Sequence, residues 1–106
     1  MIDQDKVRER LEKRRRELLV RQGRAERDLQ GVADGDSEDR EIAVRNSKVL
    51  EAIAKAAADE VADIEEALLR LSRGTYGICK HCSQPIAPRR LAAMPEAITC
   101  HGCSYE

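Results

Sequence analysis

Apolar side chains recur at spacings of four and seven along the first third of the chain. Such positions share one face of an α-helix, so the pattern predicts a helix over about residues 4–30. The stripe is thin and the other positions are mostly Arg, Lys or Glu, which favours pairing with one other helix. Its members are Val7, Leu11, Leu18, Ala25 and Val32, with Leu19 and Leu29 beside them.

A second stripe predicts a longer helix over about residues 38–72. Its members alternate at spacings of three and four, as in a coiled-coil seam. Alanines at 54 and 56–58 allow close approach of a neighbouring helix, and Gly74 suits the residue just after the helix. The stripe consists of Ile42, Asn46, Val49, Ile53, Ala57, Val61, Ile64, Leu68 and Leu71.

Residues 31–37 separate the two patterns with two glycines and the cap-forming side chains of Asp36 and Ser37. So short a turn makes the helices antiparallel. Residues 31–41 contain five acidic side chains and one basic one. We therefore expect a helical hairpin over residues 1–73 with an acidic tip near residues 34–41.

The composition narrows the class of protein. The chain lacks Phe and Trp and is 37% charged, which suits long exposed helices better than a broad globular core. The net charge of −1 gives no overall attraction for nucleic acid. Neither a signal peptide nor an apolar run long enough to span a membrane is visible. We expect a monomeric cytoplasmic protein with reduced cysteines.

Four cysteines form two C-x-x-C pairs, Cys79 with Cys82 and Cys100 with Cys103. Two such pairs can complete a tetrahedron of sulfur ligands around one zinc ion. The set leaves no open position, so the predicted zinc is structural. A thioredoxin-like redox pair would need a βαβ context that the pattern lacks.

Other residues of this segment have more than one interpretation. His81 and His101 could each replace a sulfur, but solvent-facing positions are favoured because four cysteines already fill a tetrahedron. Ser83 follows the first pair, where glycine would adopt a positive φ more easily. Arg89 and Arg90 either balance the thiolate charge or dock onto a partner.

The C-terminal segment resembles the DksA/TraR family of bacterial transcription factors. The likeness is carried by GTYGICKHC at 74–82, PI at 85–86, RLAAMP at 90–95 and CHGC at 100–103. It implies a mainly α fold, in which an antiparallel coiled-coil hairpin joins a four-cysteine zinc finger at 74–106. It also implies insertion of the hairpin into the secondary channel of RNA polymerase, without direct binding to DNA.

The resemblance also identifies tip residues. The family motif Asp-x-x-Asp-x-Ala matches Asp36 and Asp39, whereas Glu41 replaces the alanine. The family's basic residues that help to hold ppGpp correspond here to Met94 and Ser104. We therefore expect acidic tip residues that act on initiation, and no ppGpp site.

Two other functions are considered. A zinc-ribbon adaptor could bind another protein or a nucleic acid, in which case the basic run at 13–16 would matter more than the tip. An enzyme is not expected, since no catalytic triad, phosphate-binding glycine loop or open metal site is visible.

Overall fold

Three helices account for most of the structure. The computed structural model describes residues 3–33 and 40–103, with side chains described for 3–31 and 45–103. The helices are α1 (Gln4–Ala33), α2 (Arg40–Arg73) and α3 (Pro88–Ala93). No strand is present in these ranges; one isolated antiparallel bridge joins Ile78 and Pro85. The mainly α fold class, with two long helices packed together, is confirmed.

Helix α1 begins with a side-chain cap and ends later than predicted. The Asp3 carboxylate accepts hydrogen bonds from the N–H groups of Asp5 and Lys6, at 3.1 and 3.3 Å. These are donors that the first turn of a helix leaves without partners. The expected break at Gly31 is wrong by three residues, because the helix includes Gly31 and continues to Ala33. A glycine costs a helix only about 1 kcal/mol, so it need not end one.

Helix α2 ends in a Schellman motif, and Gly74 lies just after the helix, as the sequence predicted. Gly74 has a φ of 77°, a left-handed conformation that glycine adopts without steric cost. The Thr75 N–H donates to the Arg70 carbonyl at 2.9 Å, and the Gly74 N–H to the Leu71 carbonyl at 3.3 Å. These two bonds satisfy carbonyls at the end of the helix and turn the chain into the following segment.

The chain forms two compact units, each with a segment of both long helices. The helix-pair unit is Arg16–Val61, and its buried apolar side chains are Leu18, Ala25, Ala57 and Val61. The metal-site unit combines Met1–Arg15 with Ala62–Glu106. Leu11, Ile64, Ala67 and Leu71 are buried on its helices, and the boundary proposed at 73/74 stays a prediction.

The register of α2 differs from the predicted seam in its first half. Val49 and Ile53 are 58% and 38% exposed, whereas Leu50 and Ala54 are half-buried. The three-four alternation therefore continues backwards from Ala57 through 54 and 50, one residue away from the predicted positions. Asn46 is exposed, and the side chains of Val32 and Ile42 lie outside the described residues.

The segment 74–103, called the finger below, has a small core of its own. Its buried members are Cys79, Ile86, Leu91 and Ala97, with Tyr76, Cys100 and Cys103 packed against them. Helix α3 begins with a proline, whose fixed φ suits the first helical position. Among the described residues, no helix has both the length and the apolar character needed to cross a membrane.

Candidate metal centre

The last turn of α2 holds the backbone that leads into the first cysteine pair. Arg70 Nη1 donates to the carbonyl oxygen of Ile78 at 2.9 Å, and Arg70 Nε donates to Glu66 at 3.3 Å. The Arg70 side chain is only 16% exposed, and its bond to Glu66 is partly buried. Helix α2 is thus tied to the residue that directly precedes Cys79.

The first cysteine pair, Cys79 and Cys82, lies in a tight turn. The Cys79 N–H donates to the Gln84 carbonyl at 2.8 Å, and the Ser83 N–H donates to the Cys79 carbonyl at 3.0 Å. Ser83 has a φ of 61°, which confirms the positive φ expected after this pair. A residue other than glycine in this conformation carries strain of roughly 1–2 kcal/mol. The hydrogen bonds of the turn hold the backbone in that state.

Long-range bonds hold the end of α3 and the segment that follows it. Tyr76 donates its hydroxyl to the Pro95 carbonyl at 2.9 Å, and burial of this side chain raises the pKa of its phenol. Arg10 of α1 donates to the Ala92 carbonyl at 3.2 Å. Both bonds lie within the metal-site unit and join stretches far apart in sequence.

The second pair, Cys100 and Cys103, is brought to the first by backbone bonds. The N–H of Lys80, inside the first pair, donates to the Ile98 carbonyl at 2.8 Å. The Cys103 N–H donates to the Cys100 carbonyl at 3.1 Å, which closes the second turn. The two turns therefore face each other with their sulfur atoms between them.

The four sulfur atoms fit a single tetrahedral ion. All four lie within 4.8 Å of one another, and the Sγ atoms of Cys82 and Cys100 are 3.7 Å apart. A tetrahedron with Zn–S bonds of about 2.3 Å has edges of about 3.8 Å. Cys79 is buried, Cys82 is exposed, and the other two are intermediate. The group could hold one zinc ion, as the sequence predicted.

The thiol pKa values within the cluster differ because the sulfur atoms lie close together. Backbone N–H groups of Cys82 and Cys100 lower the pKa of the Cys79 thiol to about 5. Hydrogen bonds with the Cys100 and Cys79 side chains raise the pKa of Cys103 to about 12. Without a cation, neighbouring sulfurs thus compete for negative charge. A divalent ion stabilises all of them as thiolates, since it replaces their protons.

The other candidate residues lie elsewhere or outside the described residues. His81 and His101 are exposed and do not belong to the sulfur group. Asp36 and Asp39, the proposed tip residues, lie outside the described residues, as do Ser104 and the side chain of Glu41. Within the basic run, Arg15 lies 3.8 Å from Glu65, and Lys13 and Arg16 are exposed.

Sequence reasoning found the four cysteines but missed the side chains that hold the loops around them. No contact between a loop and Arg70, Tyr76 or Arg10 was predicted from the sequence. All three donate to backbone carbonyl oxygens, and a carbonyl carries no sequence signature. The one signal in the sequence was a basic residue, Arg70, near the C-terminal end of a predicted helix.

Comparisons with known proteins cover nearly the whole chain. The family model described as "DnaK suppressor protein-like, N-terminal domain" matches residues 7–71. The model described as "Prokaryotic dksA/traR C4-type zinc finger" matches residues 74–103 and includes all four cysteines. The two matches follow each other without overlap.

The chain is also similar to a solved structure and, over a shorter stretch, to an uncharacterized protein. The structure of transcription factor DksA2 from Pseudomonas aeruginosa matches with a TM-score of 0.79 and 28% identity, over 96% of this chain and 80% of that chain. An uncharacterized protein from Aquifex aeolicus (strain VF5) is 41% identical over 44 residues. That match covers 42% of this chain and 30% of the relative, so this chain spans less than a third of its length.

Proposed function

Because this chain belongs to the DksA/TraR family, we propose that it is a cytoplasmic transcription regulator that binds RNA polymerase through the secondary channel. Family matches to both the helical and the zinc-finger segment support this, together with the fold of a transcription factor over 96% of the chain. That extent of likeness is the observation that carries the proposal. The proposed regulator is a monomer.

In this proposal, one structural zinc ion is bound by Cys79, Cys82, Cys100 and Cys103. The separation of 3.7 Å between the sulfurs of Cys82 and Cys100 supports it. The ion supplies bonds that fix the two turns relative to each other. Four protein ligands leave no position for a substrate, so the metal has no catalytic role in this proposal. The proposed regulator acts by binding and not as an enzyme.

Asp36 and Asp39 are proposed to act on the polymerase. The support is the match of both aspartates to the family's tip motif, in a stretch with five acidic side chains over residues 31–41. Carboxylates brought into a confined, cation-containing pocket can interact with a metal ion, a basic side chain or a mobile loop. Glu41 adds a negative charge where the family motif has an alanine.

The proposed regulator neither binds DNA directly nor builds the family's ppGpp site. Met94, which is 43% exposed, and Ser104 stand where that site has basic residues. Neither side chain offers the positive charge that a phosphate group requires. Complexes of polymerase with and without this protein should therefore retain equal amounts of labelled ppGpp. Extra nucleotide retained with this protein would contradict the absence of the site.

The central test is Asp39→Asn, which removes one charge with little change in shape. We expect this variant to bind RNA polymerase with nearly unchanged affinity but to lose the effect on promoter-complex lifetime. Affinity is measured by competition for core polymerase, and lifetime by transcription after addition of a competitor. Glu51→Gln, a similar change at an exposed position of α2, is the control and should behave like the original protein.

Two results would contradict the proposal. Full activity of Asp39→Asn would exclude the tip role but leave polymerase binding intact. Failure of the original protein to bind polymerase, especially with binding to bare DNA, would favour the zinc-ribbon adaptor.

A further inference from the structure

The peptide unit between Thr99 and Cys100 is held by a side chain at its carbonyl end. Its carbonyl oxygen, which belongs to Thr99, accepts a hydrogen bond from Arg90 Nε at 3.0 Å. Its N–H belongs to Cys100, whose sulfur lies within 4.8 Å of the other three cysteine sulfurs. A trans peptide is planar, with its C=O and N–H pointing in opposite directions. A donor that fixes the oxygen therefore also fixes the direction of the N–H.

Arg90 is well placed to be that donor. It lies in α3, where its N–H donates to the Ala87 carbonyl at 3.0 Å and its carbonyl accepts from the Met94 N–H at 2.7 Å. Its side chain is half-buried, whereas that of the neighbouring Arg89 is exposed. A guanidinium has a planar arrangement of donors, so its direction is better defined than that of an ammonium group.

We propose that Arg90 is a positioning residue for the zinc site: it orients the Thr99–Cys100 peptide so that Cys100 presents its sulfur to the ion. Outer groups that orient metal ligands contribute strongly to metal binding, even without touching the metal. This role affects zinc binding alone and does not require RNA polymerase.

A general charge effect is the competing explanation. Four thiolates around Zn²⁺ carry a net charge of −2, and any nearby arginine would offset it. That explanation predicts similar contributions from Arg89 and Arg90, and it predicts that lysine can replace either. A positioning role predicts that only position 90 matters and that lysine replaces it poorly.

The test compares zinc release from the full-length, zinc-loaded chain and its variants into an excess of a colorimetric chelator. Loss of a group that orients a metal ligand commonly weakens metal binding by about 10–100-fold. We therefore expect Arg90→Met to release zinc about 10–100-fold faster. Arg90→Lys should also release zinc clearly faster than the original protein. Arg89→Met and Arg89→Lys are the matched controls and should release it at the original rate.

Substitution by Co²⁺ separates a shift in ligand geometry from a failure to fold. In Arg90→Lys we expect the sulfur-to-cobalt charge-transfer absorption to persist while the ligand-field bands shift, since four sulfurs still bind in a changed geometry. Arg89→Lys should give the original spectrum. If Arg90→Met takes up no metal, the Arg90→Lys spectrum and release rate decide the question.

Two outcomes would overturn the proposal. One is that Arg90→Lys releases zinc at the same rate as the original protein and gives the same Co²⁺ spectrum. The other is an equal acceleration in Arg89→Met and Arg90→Met, which would establish charge balance instead.

Discussion

The finger and the helix-pair unit each bury four apolar residues among those that the structure describes. In the finger these are Cys79, Ile86, Leu91 and Ala97. In the helix-pair unit they are Leu18, Ala25, Ala57 and Val61. Neither set contains an aromatic side chain, so each core provides little of the apolar area on which domain stability usually depends.

The two regions compensate for their small apolar cores in different ways. In its described residues, the helix-pair unit repeats one local pattern: backbone bonds close within a helix and apolar residues return at regular intervals. The finger has one short helix, and specific bonds between distant residues direct its loops, such as that from Tyr76 to the Pro95 carbonyl. Its stability should therefore depend on the metal and on a few donors, whereas that of the helices depends on packing.

Removal of a metal ligand should show this contrast most strongly. In Cys100→Ser we expect complete loss of stoichiometric zinc and unfolding of the finger, while the helix-pair unit stays largely helical. Structural zinc contributes about 10–16 kcal/mol of apparent binding free energy in small zinc domains, far more than one packing contact. Zinc content by elemental analysis and regional hydrogen exchange measure the two effects.

His101→Ala is the control for the ligand variant, since this histidine lies between the second pair of cysteines but outside the sulfur group. It should retain zinc. Retention of a full equivalent of zinc by Cys100→Ser would show that the finger does not need all four sulfurs.

Truncation of a buried leucine should test the packing side of the comparison. Leu18 is 1% exposed and its neighbour Leu19 is 40% exposed. Leu18→Ala should lower the free energy of unfolding by about 2–5 kcal/mol, because it leaves a cavity between the helices. Leu19→Ala should cost much less. Circular dichroism in increasing urea measures both, and equal losses would contradict the assigned helix face.

The smallest expected effect concerns backbone strain within the finger. Ser83→Gly should stabilise the zinc-loaded finger by up to about 1 kcal/mol, since glycine adopts the φ of 61° without steric cost but loses more entropy on folding. The change is measured as a higher midpoint of thermal unfolding with zinc bound. An unchanged or lower midpoint would mean that the serine side chain offsets the strain.

The sequence predicted what short-range rules determine. Regular apolar spacing predicted two long helices, and two C-x-x-C pairs predicted the sulfur cluster and its geometry. Gly74 and Ser83 were both correctly expected to have a positive φ, because the helix end and the cysteine turn require it. These features each depend on a few neighbouring residues.

Other features depend on the folded path of the chain. The early part of the α2 seam was assigned to Val49 and Ile53 from their three-four spacing, yet the half-buried positions are Leu50 and Ala54. Either choice fits helical spacing, and only the facing helix selects between them. The bonds from Arg70 and Arg90 also could not be predicted from the sequence, since their acceptors are carbonyls in irregular loops.

The bond from Arg10 to the Ala92 carbonyl has a consequence for the order of events during synthesis. Its partners are 82 residues apart, so a growing chain contains the donor long before the acceptor. At ribosomal speeds of about 5–20 residues per second, the delay is on the order of ten seconds. During that interval the start of α1 exists without the residue that accepts this bond, so this part of the molecule is completed only after α3 has been synthesised.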